Sequence, residues 1–325
     1  MTSPTIATPA GSDPQAAVAT ALLFPGQGSQ RVGMGQRLAA EHPVARATMA
    51  EADDALDLPL SRLCFEGPEP ELTRTEHCQP AILTVSVALW RALGAESGIT
   101  PRWLAGHSLG EYTALVVAGA IRFRDAVHLV RLRGRLMQSA VPEGIGTMAA
   151  IVGLDDAVVA ELCAGAAAGE VVAPANFNGA GQVVVAGHRA AVARVMEAAR
   201  AAGGRVIPLP VSAPFHCALM APAAAELASA LAAIDVQPPA LPIVSNVDAA
   251  ENTDAGRIRD LLVAQVTAPV RWAESMRRLQ SLGCRQAIEV GPGQVLAKIL
   301  QRMRLGIASA ALEDAVSLQA GGAPA

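Results

Sequence analysis

The chain has 325 residues, 52% of them hydrophobic, and a formal net charge of −4. That is enough for one large domain, or a large one with a smaller companion, around a substantial core. The acidic balance argues against nucleic acid as the main partner, and no apolar run reaches membrane-spanning length.

Residues 1–20 are rich in Ala, Pro, Ser and Thr. They lack the basic start and apolar segment of a secretory signal, so they read as a disordered leader. Residues 21–24 read as a short buried strand ending in Pro25-Gly26-Gln27-Gly28-Ser29-Gln30. Helical patterns follow at about 35–41, 44–56 and 80–96. A strand over 103–105 then runs into Gly106-His107-Ser108-Leu109-Gly110, followed by helices over 109–119 and 125–140. Apolar strands separated by helices predict a parallel sheet covered on both faces. From 144 to 209 the order changes. Strand 147–152, helix 157–168, strands 170–173 and 182–186, helix 190–202 and strand 205–209 make β-α-β-β-α-β, the ferredoxin-like order. Alternation resumes with 242–247, 257–265, 268–282, 286–290 and 295–304. The expected architecture is a large α/β domain (21–143 and 210–313) with an inserted ferredoxin-like subdomain (144–209) and a flexible tail (314–325).

Gly106-His107-Ser108-Leu109-Gly110 has the Gly-x-Ser-x-Gly pattern of a nucleophile elbow in its expected setting, a strand turning sharply into a helix. The following helix places unpaired amides beside the serine, where an oxyanion would form. A tight turn that merely needed glycines is the other reading. A serine hydroxyl needs a base within hydrogen-bond reach. Of six histidines, His216, in a loop after the strand over 205–209, is the candidate; an ordinary loop histidine is the alternative.

Arg133 shares its helix face with Ala126, Leu129, Val130, Leu136, Met137 and Ala140, all apolar. A guanidinium on a buried stripe must be paired. The partner is either a protein carboxylate or the carboxylate of a substrate, clamped by two parallel bonds. Lys298 is the only lysine and lies in no phosphate-loop or Schiff-base motif. The five cysteines form no Cys-x-x-Cys pair and no zinc spacing, which points to reduced thiols in a cytoplasmic protein without a metal.

Taken in order, Leu23-Phe24-Pro25-Gly26-Gln27-Gly28-Ser29-Gln30, Gly106-His107-Ser108-Leu109-Gly110-Glu111-Tyr112, Arg133-Gly134, Asn176-Phe177-Asn178, Ala213-Pro214-Phe215-His216, Ser245-Asn246-Val247 and Glu289-Val290-Gly291-Pro292-Gly293 resemble the malonyl-CoA:acyl carrier protein transacylases of bacterial fatty acid synthesis. The resemblance runs from about residue 21 to 313. It implies an α/β-hydrolase-like large domain with the ferredoxin-like insertion, and malonyl transfer from malonyl-CoA to holo acyl carrier protein. Ser108 would be the acylated nucleophile and His216 its base. Gln27 and Leu109 would supply oxyanion-hole amides, Arg133 would bind the malonyl carboxylate, and the main-chain carbonyl of Gln265 would orient the histidine. It further implies a monomer that needs no metal or redox cofactor and no nucleic acid or membrane partner. One departure is Gly179-Ala180-Gly181, where the family often has a proline after Asn178. Three rival readings remain: a discrete acyltransferase serving polyketide assembly; an α/β-hydrolase esterase, which would need an acid between the serine and the histidine in sequence; and a carrier-protein docking or scaffold subunit with a dead site, against which the intact serine, histidine and arginine speak.

Overall fold

The computed structural model describes residues 18–94, 97–211 and 213–312. The tail expectation and most of the leader expectation lie outside the described residues; Thr20, assigned to the leader, instead opens the first strand. The strands are β1 (Thr20–Phe24), β2 (Pro101–Gly106), β3 (Gly146–Val152), β4 (Val172–Gly179), β5 (Gln182–His188), β6 (Arg205–Pro208), β7 (Ile243–Val244), β8 (Glu251–Asn252), β9 (Gln286–Val290) and β10 (Ala308–Leu312). They form a six-stranded sheet, β10-β9-β1-β2-β7-β8, and a four-stranded one, β4-β5-β3-β6.

The large sheet is parallel except for the short β8. Central β1 is buried along its whole length. A strand with both faces covered has no solvent side, which is why it reads as an unbroken apolar run rather than an alternation. Its partner β2 ends in register with it, Phe24 opposite Gly106. The chain leaving each strand therefore emerges side by side at the carboxyl edge, and His107 N–H donates to Phe24 O at 3.0 Å. That edge is where open α/β sheets place their ligands.

The small sheet is antiparallel throughout. Strand alternation divides its two faces. Ala149, Ile151, Val183 and Val185 pack under the helices Asp156–Ala166 and Arg189–Ala201. Met148, Ala150, Val184 and Ala186 join the core of the large sheet instead. The outward face of one sheet thus roofs the edge of the other, and Met148 points into the space between them.

Several elements depart from the sequence pattern. β4 extends to Gly179 rather than ending near 173, because Pro174, which would break a central strand, sits on an edge strand where it is tolerated. The helix expected from Pro80 starts at Thr75, with Pro80 inside it. Helix Ala221–Ala233 is so rich in alanine that its buried stripe, Ala223, Leu227 and Leu231, gives little periodic contrast.

Candidate active site

The geometry of the elbow explains its glycines. Ser108 has φ 52°, in the left-handed region that an L residue occupies at a cost of about 1–3 kcal/mol. A Cβ on Gly106 would lie 1.9 Å from the Gly110 carbonyl carbon, and one on Gly110 would lie 2.0 Å from Phe24 O. Only hydrogen fits at either place. Leu109 opens the helix Gly110–Val117 immediately after the serine.

His216 reaches the serine from the loop before helix Ala221–Ala233, itself held at φ 59°. Its Nε2 stands 2.7 Å from Ser108 Oγ, and its Nδ1 stands 2.8 Å from the main-chain oxygen of Gln265. A carbonyl can only accept, so Nδ1 carries the proton and Nε2 presents its lone pair to the serine hydroxyl. Burial, with the Arg133 charge added, pushes the imidazole down to about 3. It is therefore neutral at physiological pH, the form that can take a proton.

Arg133 is 1% exposed. One terminal nitrogen donates to Gln79 Oε1 at 2.8 Å; the other donates to Gln265 Oε1 at 2.9 Å and to Ser108 Oγ at 3.1 Å. The guanidinium carbon lies 5.3 Å from the centre of the Tyr112 ring. Among the described residues no carboxylate forms a direct ion pair with it, although the charge of the buried Glu111 acts on it, and its Nε has no hydrogen-bond partner. Of the two sequence alternatives, a direct protein carboxylate partner is thereby removed.

Ser108, His216, Arg133, Gln27 and Leu109 all line one cavity of about 120 Å³, together with Met137, Met148, Leu209, Val211 and Phe215. Gln265 stands behind it. All six predicted site residues thus converge, although they are spread over more than two hundred positions of sequence. His107 turns its ring toward β4, where Nε2 meets Asn178 Oδ1 at 2.9 Å, and packs against Trp272. Of the remaining histidines, His128 is exposed, and His42, His77 and His188 lie away from the cavity.

Sequence reasoning assigned no role to Asn246, Glu111 or Gln79. Asn246 accepts the Ser108 N–H at 2.6 Å and donates to Gly106 O at 2.6 Å, so one side chain clasps the elbow from both sides. Glu111 is buried behind it and accepts from Asn246 N and from Gln265 Nε2. A signal for Glu111 was present, since it lies among Tyr112, Thr113, Ala114 and Leu115 on a helix with no polar face. Among the described residues no group of three or more His, Cys, Asp or Glu could hold a metal, and no helix is long and apolar enough to cross a membrane.

Residues 21–314 match the family model described as the acyl transferase domain. The malonyl CoA-acyl carrier protein transacylase of Salmonella typhimurium is 51% identical over 301 residues, covering 92% of this chain and 97% of the relative. The chain belongs to this transacylase family. The Bacillus subtilis (strain 168) relative is 44% identical over 301 residues, covering 92% of this chain and 95% of its own. Among solved structures, an acyl carrier protein S-malonyltransferase from Vibrio cholerae superposes with a TM-score of 0.90 at 48% identity, covering 92% of this chain and 98% of its own. A malonyl-transacylase in complex with its type II polyketide synthase acyl-carrier protein does so with the same TM-score and identity, covering 92% and 97%. The mixed α/β fold expected from the sequence is the fold of these relatives.

Proposed function

We propose that this protein moves a malonyl group from malonyl-CoA to the phosphopantetheine thiol of holo acyl carrier protein, through an ester on Ser108. In the first half-reaction His216 Nε2 takes the Ser108 proton as Oγ attacks the thioester carbonyl. The main-chain amides of Gln27 and Leu109 hold the oxyanion. The tetrahedral intermediate then expels CoA, whose sulfur takes the proton from His216. In the second half-reaction the carrier's thiol gives its proton to His216 and attacks the ester. Ser108 Oγ leaves and recovers that proton. Charge and protons balance over the cycle, and the steps consume no metal or redox equivalent.

The observation that carries this reading is the Arg133 guanidinium, buried with no carboxylate in direct contact and 3.1 Å from Ser108 Oγ. An acyl group bearing a free carboxylate one methylene from its thioester carbonyl satisfies both groups at once. A simple ester has nothing to offer Arg133. The esterase reading is further disfavoured because His216 Nδ1 meets a main-chain carbonyl rather than an acid.

Supply of extender units for fatty acid synthesis is the setting that the relatives' transacylase names support, and we propose a cytoplasmic monomer for it. Service to a polyketide carrier protein is the second reading; one similar structure is a malonyl-transacylase in complex with a type II polyketide synthase acyl-carrier protein. Initial rates with malonyl-CoA and holo acyl carrier protein should give parallel double-reciprocal lines, while p-nitrophenyl acetate should be a poor substrate. Intersecting lines, or efficient ester hydrolysis without transfer, would overturn the proposal. Transfer rates to fatty acid and polyketide carrier proteins from the same cell separate the two settings.

A further inference from the structure

Glu111 lies one helical turn beyond the nucleophile and is 4% exposed. A buried carboxylate is costly unless its lone pairs are met, and the partners of this one are unusually placed. Its Oε2 accepts from the Gln265 side chain at 2.8 Å and from Asn246 N at 3.1 Å. Gln265 Nε2 also faces Ser108 O at 3.1 Å and Asn246 Oδ1 at 3.5 Å, so three acceptors surround that nitrogen. The amide must then turn its oxygen the other way, and there it receives Arg133 at 2.9 Å. A flipped amide would set its NH₂ against the guanidinium and its oxygen against the carboxylate, repulsive at both ends.

We infer that Glu111 is a positioning residue that selects for diacid substrates by fixing the Gln265 amide, which in turn fixes the guanidinium of Arg133. The inference rests on the reading of Arg133 as the clamp for the malonyl carboxylate. The path matters because Gln265 serves two catalytic neighbours by different atoms. Its main-chain oxygen orients His216, and its side chain orients Arg133. The side-chain path therefore bears on substrates with a carboxylate, and the main-chain path bears on all substrates. The second arm of Glu111, through Asn246 to the Ser108 amide, likewise bears on every acyl group. Burial pushes the Glu111 carboxyl up to about 7, against the pull of the Asn246 and Gln265 donors and of the Arg133 charge. Two N–H donors face Oε2, so a proton taken up by the carboxyl goes to Oε1 and Oε2 stays an acceptor.

The test is the ratio of malonyl to acetyl single-turnover labelling of Ser108, on intact protein normalised to its active fraction. Glu111→Asp keeps the charge but withdraws the acceptor by one methylene. It should lower the ratio about tenfold or more, the loss expected for one hydrogen bond to a charged group. Glu111→Gln keeps an acceptor oxygen in place and should stay within about threefold of the native ratio. Gln265→Ala removes only the side chain and should match Glu111→Asp. The double variant should fall no further, because the two residues act in series. An unchanged ratio in Glu111→Asp or Gln265→Ala overturns the relay, and so does a Glu111→Gln ratio as low as that of Glu111→Asp. Arg133→Ala separates the two layers: if its ratio collapses while Gln265→Ala keeps the native ratio, the clamp stands and the relay falls. If Arg133→Ala also keeps the native ratio, the clamp reading falls.

Discussion

Replacing Arg133 tests acyl selection at its source. The guanidinium is buried, holds Gln79 and Gln265 by its terminal nitrogens, and touches the nucleophile. Against a malonyl carboxylate it would form charge-assisted bonds worth about 1.5–3 kcal/mol each. At about 1.4 kcal/mol per decade, losing one costs malonyl transfer about 10- to 150-fold in kcat/KM, and losing a bidentate pair costs more. Acetyl-CoA has no carboxylate to lose. Arg133→Ala should leave its kcat/KM within about tenfold of the native value, because of the bonds forfeited only the one to Ser108 Oγ reaches the reacting atoms, those to Gln79 and Gln265 ending on side chains. Arg133→Lys should recover malonyl transfer partly, since an ammonium cannot make two parallel bonds. The assay compares both thioesters on the native protein and both variants, with thermal melts to confirm folding. Equal losses for malonyl and acetyl would refute the reasoning and make Arg133 a packing residue.

His216 is the proposed general base, and His216→Ala should slow malonyl labelling of Ser108 by about 10²–10⁴-fold; a smaller effect would place the base elsewhere. His216 also links stability to acidity. Its folded value is depressed from 6.5 to about 3, so between those limits the unfolded chain binds the proton more tightly. Its contribution is present above pH 6.5 and is lost as pH falls toward about 3. Melting midpoints of His216→Gln should therefore drop less than those of the native protein on acidification, and parallel curves would contradict this. Phe215 walls the cavity beside the nucleophile, so malonyl-CoA should be preferred to methylmalonyl-CoA. Phe215→Ala should raise the methylmalonyl-to-malonyl ratio of kcat/KM by about tenfold, the scale of one methyl group in a packed pocket. An unchanged ratio would clear Phe215 of that role.

The elbow and Arg133 were legible because each carries a local contradiction. The elbow crowds small residues between a strand and a helix, and the structure supplies the reason in the contacts a Cβ would make at Gly106 and Gly110. Arg133 is a charge on an apolar stripe, and it is buried as that pattern requires. Glu111 carries the same contradiction on a shorter helix, where eight residues give a weaker stripe. Asn246 could not be found this way. It lies 138 positions from Ser108 and arrives beside it because β7 pairs with β2, Val244 opposite Ala105. No periodicity announces a pairing of two residues across that distance. The role of Gln265 was out of reach for a different reason: a main-chain carbonyl has no side-chain signature, and only the family resemblance pointed to it. Short elements were lost too. Helices Leu60–Glu66 and Glu69–Thr73 span about two turns or fewer, too short to build a periodic face.

The proposed cycle turns on one covalent species, Ser108 carrying the malonyl group between two thiols. Intact-mass measurement after exposure to malonyl-CoA alone tests it most directly. A single malonyl adduct is expected on the native protein, mapped to the peptide containing Ser108 and discharged by holo acyl carrier protein. An adduct that persists in Ser108→Ala, or a native protein that transfers malonyl groups without ever carrying one, would contradict it.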